Sequence, residues 1–131
     1  MIYLASPYSH RDATVREQCF HSVCRMAAAL MRQGHVVFAP IVPGHPLVGH
    51  GLPTDWPFWE RFDREHLRRC DELVVLMLDG WRESLGVEAE IRIAAELGKP
   101  VPSGEIKRPR CEILVSHMSR ISRRLEFGVV F

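Results

Sequence analysis

No C-x-x-C pair joins the four cysteines, and no histidine stands at zinc-finger spacing from Cys19, Cys24, Cys70 or Cys111. That argues against a thiol metal site and a disulfide framework. Three of the four fall in stretches of helical pattern, so the thiols are read as reduced and the chain as cytosolic. No window approaches the roughly 18 apolar residues of a membrane-spanning helix, and the opening M-I-Y-L-A-S-P carries no basic leader. An excess of one charge is missing too: 17 basic residues against 16 acidic ones leave a net +1. Such a balance gives no long-range field for polymeric nucleic acid or a membrane surface, although a small anion could be held locally. G-x-G-x-x-G, the P-loop and G-x-S-x-G are all absent, which argues against a dinucleotide dehydrogenase, a nucleoside triphosphatase and an α/β-hydrolase. The seven histidines give no H-x-x-x-H pair within a helical stretch, so neither a metal nor another cofactor is expected. There is no internal repeat and no low-complexity segment.

What is present is 131 residues, 47% of them hydrophobic, enough for one core and one domain over residues 1–131. Met1 to Ala5 is a short apolar run stopping at S-P-Y-S, the pattern of a buried parallel strand. Arg11 to Gln33 repeats apolar residues at three and four (Val15, Cys19, Val23, Met26, Ala27, Leu30, Met31) and meets a stop at Gly34, which predicts an amphipathic helix. His35 to Ala39 reads as a second strand ended by Pro40. Ile41 to Asp55 follows without a period; four prolines and three glycines lie between Pro40 and Asp55, which suggests a long substrate loop or lid. Trp56 to Cys70 resumes helical spacing through Phe58, Phe62 and Leu67, with Asp55 as N-cap. Glu72 to Leu78 is the strongest strand, apolar on both faces and therefore central. Gly86 to Leu97 is a helix, and Gly98-Lys-Pro-Val leads toward a fourth strand. Cys111 to Leu125 reads as helix and Phe127 to Phe131 as an apolar tail. The order implies an α/β fold, an open parallel sheet of about four to five strands with helices on both faces, of the flavodoxin or Rossmann type.

Ligands of such sheets collect at the carboxyl ends of the strands, where loops and helix N-termini converge. The candidate binding residues there are Ser6, Ser9, His45, Asp79, Ser84 and Gly86. Serine and glycine at a helix start equally serve as cap and turn, and both readings stand. Glu88 and Glu90 are two residues apart, so on a helix they point about 200° apart and only one can face a pocket. Glu90 shares a face with Gly86, Val87 and Ala94, and Glu88 shares the outer face with Arg92. A carboxylate aimed inward is costly unless hydrogen-bonded or used, and the spacing equally allows Glu90 to be an exposed first-turn glutamate that suits the helix dipole. Asp63 is either a second site carboxylate or part of a charged outer face with Arg64, Glu65, Arg68 and Arg69, and the pattern favours the outer face. Tyr3, on the first strand, needs a partner for its hydroxyl if buried.

The segments I-Y-L-A-S-P-Y-S (2–9), D-R-E-H-L-R-R-C-D-E-L-V-V-L (63–76) and S-L-G-V-E-A-E-I-R-I-A-A-E-L-G-K-P-V (84–101) resemble the nucleoside 2-deoxyribosyltransferase superfamily. The likeness is closer to its 2′-deoxynucleoside 5′-phosphate N-hydrolase branch and its short relatives. It covers residues 1–101. The resemblance implies that Glu90 is a nucleophile forming a covalent ester with the sugar, that Asp63 assists proton transfer around the leaving base, and that Tyr3 orients Glu90. Ser84 falls where the phosphate hydrolases carry a serine for the 5′-phosphate. After the first strand those hydrolases have a glycine-rich stretch with an arginine, whereas P-Y-S-H-R stands here, leaving that role to Ser9, His10 or Arg11. The resemblance further implies a small-molecule nucleoside or nucleotide as partner and a homodimer or higher homo-oligomer. Two other functions fit the same residues: a catalytically silent nucleotide-binding or sensor module, and a glycohydrolase of ribosyl nucleotides.

Overall fold

The computed structural model describes residues 1–100 and 112–115. In chain order the elements are β1 (Ile2–Ala5), α1 (Ala13–Arg32), β2 (Val37–Phe38), α2 (Ile41–Val48), α3 (Trp56–Arg69), β3 (Glu72–Met77), a single 3-10 turn (Trp81–Glu83), α4 (Leu85–Glu96) and β4 (Glu112–Val115). The sheet order is β2-β1-β3-β4. β1 runs parallel to both neighbours, with Ile2 opposite Val37 on one side and Glu72 on the other. β4 lies antiparallel to β3, with Val74 opposite Val115.

The α/β class is as the sequence implies, but the strand count is not. Among the described residues three strands are parallel rather than four to five, and the fourth runs the other way. The strand expected near Val101 lies outside the described residues, as does the tail at Phe127. E-I-L-V at 112–115, expected to open a helix, is instead a strand, since its aliphatic run suits pairing and β3 offers a free edge. Proline at 43 and 46 and glycine at 44 hid α2 inside the expected loop. Pro43 occupies the first turn, where no intrahelical N–H is required, and Pro46 forgoes one bond. The Gly44 N–H closes on the Pro40 carbonyl at 3.0 Å.

Strand alternation divides the core. Ile2 and Leu4 of β1 and Val74 and Leu76 of β3 face Val23, Met26, Ala27 and Leu30 of α1. Tyr3 and Ala5 of β1 and Leu73 and Val75 of β3 face the other way, against Leu67 and Cys70 at the end of α3 and Val87, Ile93 and Ala94 of α4. Each fully buried aliphatic side chain contributes about 1.5–3 kcal/mol relative to exposure. This division sends Tyr3 beneath α3 and α4. At the start of α1 the Asp12 side chain accepts from the Thr14 N–H at 2.8 Å, and at its end Gly34 takes φ +89°. Cys19 and Cys24 are half-buried and Cys70 buried, all three as free thiols. No helix among the described residues is long and apolar enough to cross a membrane.

Candidate active site

Three buried polar side chains from three elements meet under the carboxyl end of β1. Tyr3 is wholly buried, and its hydroxyl donates to Glu90 Oε1 at 2.7 Å. Glu90 sits on the inner stripe of α4 with Val87, Ile93 and Ala94 and is 4% exposed, while Glu88 faces solvent. Asp63 is 7% exposed, one turn before buried Leu67 on α3. The outer-face alternative for Asp63 therefore fails. The inner stripe of α3 runs through Trp56, Trp59, Asp63 and Leu67, whereas Phe58 is half-buried and Phe62 exposed. Arg64, Glu65, Arg68 and Arg69 do form the outer face, tied by ion pairs with one another, with Glu60, and with Glu96 of α4 at 3.1 Å.

The three groups perturb one another. Burial raises the Asp63 carboxyl from its usual value to about 7, and the Tyr3 hydroxyl pulls it the other way. Glu90 is pushed well above the ordinary carboxylate range, first by burial and then by the charge of Asp63, against the hydrogen bond from Tyr3. Tyr3 itself is raised well above 10 by burial and by the two neighbouring acids. Two carboxyls in one dry site hold at most one negative charge near neutral pH, and they titrate as a pair. The Tyr3 hydroxyl opposes the effect of burial on both acids.

Asp63 and Glu90 open onto a cleft of about 540 Å³, counted to its open mouth. Ser6, Ser9, His45, Ser84 and Gly86 also line it, as expected. Asp79 does not: it is exposed in the turn after β3. Ser6 Oγ is buried with no hydrogen-bond partner among the described residues, an uncompensated group that a ligand could satisfy. Ser9 Oγ donates to the Thr54 carbonyl at 2.7 Å, and Ser84 Oγ caps α4 by accepting from the Val87 N–H at 3.3 Å. His10 and Arg11 are exposed and are not among the lining residues.

The apolar wall was not anticipated. Trp56 and Trp59 of α3 and Ile41, Gly44 and Val48 of α2 make much of it. The indoles lie against two glycines: a Cβ on Gly86 would lie 3.4 Å from Trp56 Cε3, and one on Gly44 3.6 Å from Trp59 Cη2. The missed signal was the three-residue spacing of the tryptophans ahead of Asp63.

A family model described as a domain of unknown function (DUF1937) matches residues 1–105. The chain belongs to the DUF1937 family. No curated protein matches it. The matched DUF1937 span contains every residue of the cleft, from Ser6 to Glu90.

Proposed function

We propose that the chain cleaves the N-glycosidic bond of a 2′-deoxynucleoside or its 5′-monophosphate through a covalent glutamyl-sugar intermediate. The observation that carries this is the buried Tyr3–Glu90 hydrogen bond beside Asp63 at the wall of one cleft. Paired carboxyls of unequal environment are what glycoside cleavage through an oxocarbenium-like transition state requires. Glu90, oriented by Tyr3, attacks C1′ as its carboxylate, and the C1′–O bond forms as the C1′–N bond breaks. Asp63, whose carboxyl burial raises to about 7, gives its proton from its neutral form to the departing base. Water then attacks C1′ as Asp63 takes back a proton, which releases the sugar and restores the Glu90 carboxylate; an acceptor base in place of water gives transfer. The first turn of α4 at Ser84 and Gly86 suits a 5′-phosphate, and Trp56 and Trp59 offer flat apolar surface to a base.

The test is base release, followed by chromatography, from a panel of deoxynucleosides and their monophosphates, with and without an acceptor base. Glu90→Ala is expected to lower turnover by roughly three orders of magnitude or more, and Glu88→Ala to leave it within about twofold. Equal losses, or no base release from any substrate, would refute the proposal. The burial that holds both acids toward their neutral forms also suits a silent nucleotide-binding module. That alternative predicts thermal stabilisation by nucleotides without turnover.

A further inference from the structure

His45 is the meeting point of three segments. Its Nδ1 lies 2.7 Å from the Tyr8 hydroxyl, in the segment after β1, and its Nε2 lies 2.8 Å from Glu17 Oε2 on α1. Its ring stacks on Phe20 of α1, centroids 4.3 Å apart at 16°, and meets Tyr8 edge-on. Tyr8 and His45 both line the cleft, while Glu17 is outside it and half exposed.

The bonding capacity of each group fixes the direction of this chain. An ionised carboxylate only accepts, so Nε2 carries the imidazole hydrogen. A neutral imidazole has one N–H, which leaves Nδ1 as a lone pair, and Tyr8 must be the donor to it. The Arg16 guanidinium beside Tyr8, a donor only, meets the oxygen rather than the proton; it opposes the upward effect of burial on the Tyr8 hydroxyl. The Tyr8 proton is thus committed inward, and what remains for a ligand is a lone pair.

We infer that Glu17 and His45 are positioning residues that hold the Tyr8 hydroxyl as a hydrogen-bond acceptor in the cleft wall. The Tyr8 oxygen then takes a neutral donor of the ligand, a sugar hydroxyl. The choice of a sugar rests on the proposed function; the orientation of Tyr8 does not.

Long-range 1H–15N correlation spectra of the imidazoles of the full chain at pH 7.5 test the orientation directly. His45 is expected as the Nε2–H tautomer. Glu17→Gln, which keeps an acceptor oxygen, should retain it, and Glu17→Ala should lose the preference. Binding tests the consequence, with thymidine and inorganic phosphate as probes. Tyr8→Phe should weaken thymidine about tenfold and Glu17→Ala about threefold, with Glu17→Gln near the parent and phosphate affinity unchanged in all three. An Nδ1–H tautomer at His45, or thymidine binding indifferent to Tyr8→Phe, would overturn the inference even if base release is observed. No thymidine binding, alongside the expected tautomer and its dependence on Glu17, would sink the sugar assignment and leave the orientation of Tyr8 supported, with the glycosidase proposal decided by base release from the whole panel.

Discussion

Burying two acids together means that the folded chain keeps protons the unfolded chain has given up. Asp63 has a folded pKa raised to about 7 by burial, whereas the same residue in the unfolded chain titrates near its ordinary value of 3.8. Below both values each state is protonated and no penalty exists. As pH rises from about 4 the unfolded state ionises first and binds fewer protons, so stability falls until the folded group also ionises near pH 7. Glu90, shifted in the same direction, adds to the fall. Asp63→Asn removes the Asp63 part. Calorimetry from pH 4 to 8 should show the variant and the parent converging at the acid end, with the variant ahead at pH 8 by on the order of 4 kcal/mol at most. A variant that trails by the same margin at every pH would mean that Asp63 is stabilised as an anion. The two acids were not equally legible. The two-residue offset from Glu88 and the apolar partners Val87 and Ala94 single out Glu90 by helical geometry alone. Asp63 is flanked by Arg61, Arg64, Glu65 and Arg68, and only the seating of α3 over Tyr3 takes it inside.

At the scale of elements, the cleft is made where sequence signals are weakest. α2 supplies a wall through Ile41, Gly44 and Val48, yet two prolines and a glycine in eight residues erase its period. The same composition makes it improvable. Gly44 is buried with ordinary helical dihedrals, and a methyl group there would meet only the Trp59 ring at 3.6–3.7 Å, a normal contact. Gly44→Ala should therefore stabilise by about 0.5–1 kcal/mol, read as a higher midpoint in chemical denaturation, while narrowing the cleft. Gly34→Ala is the opposite case. Open space surrounds the position, but φ +89° strains any side chain, so a loss of about 1 kcal/mol is expected. A misassigned face has a similar origin on α3. Phe58 and Phe62 advertise a buried stripe, yet they pack beside Trp59 with Phe58 half-buried and Phe62 exposed, Phe62 lying under the Arg61 guanidinium at 4.6 Å. The true stripe carries Asp63 and loses its hydrophobic signal for that reason.

For the molecule as a whole, the order β1–α1–β2 and then β3–α4 was readable because parallel buried strands are continuous apolar runs and their helices are amphipathic. The sheet's far edge was not, because pairing of β4 with β3 depends on a contact distant in sequence. Among the described residues both clusters of buried hydrophobic side chains lie within residues 2–94, and the family match ends at 105, ahead of β4. The chain cut after residue 105 should therefore fold cooperatively and keep Tyr3 bonded to Glu90. Its β3, however, would present the backbone groups that now pair with Glu112–Val115. An unpaired edge rich in Leu and Val invites another strand. Light scattering over a concentration series should show the shortened chain self-associating more strongly than the full chain, with far-ultraviolet circular dichroism still mixed α/β. A shortened chain that is unfolded would make β4 part of the core, and one that associates no more than the full chain would mean the β3 edge is protected without it.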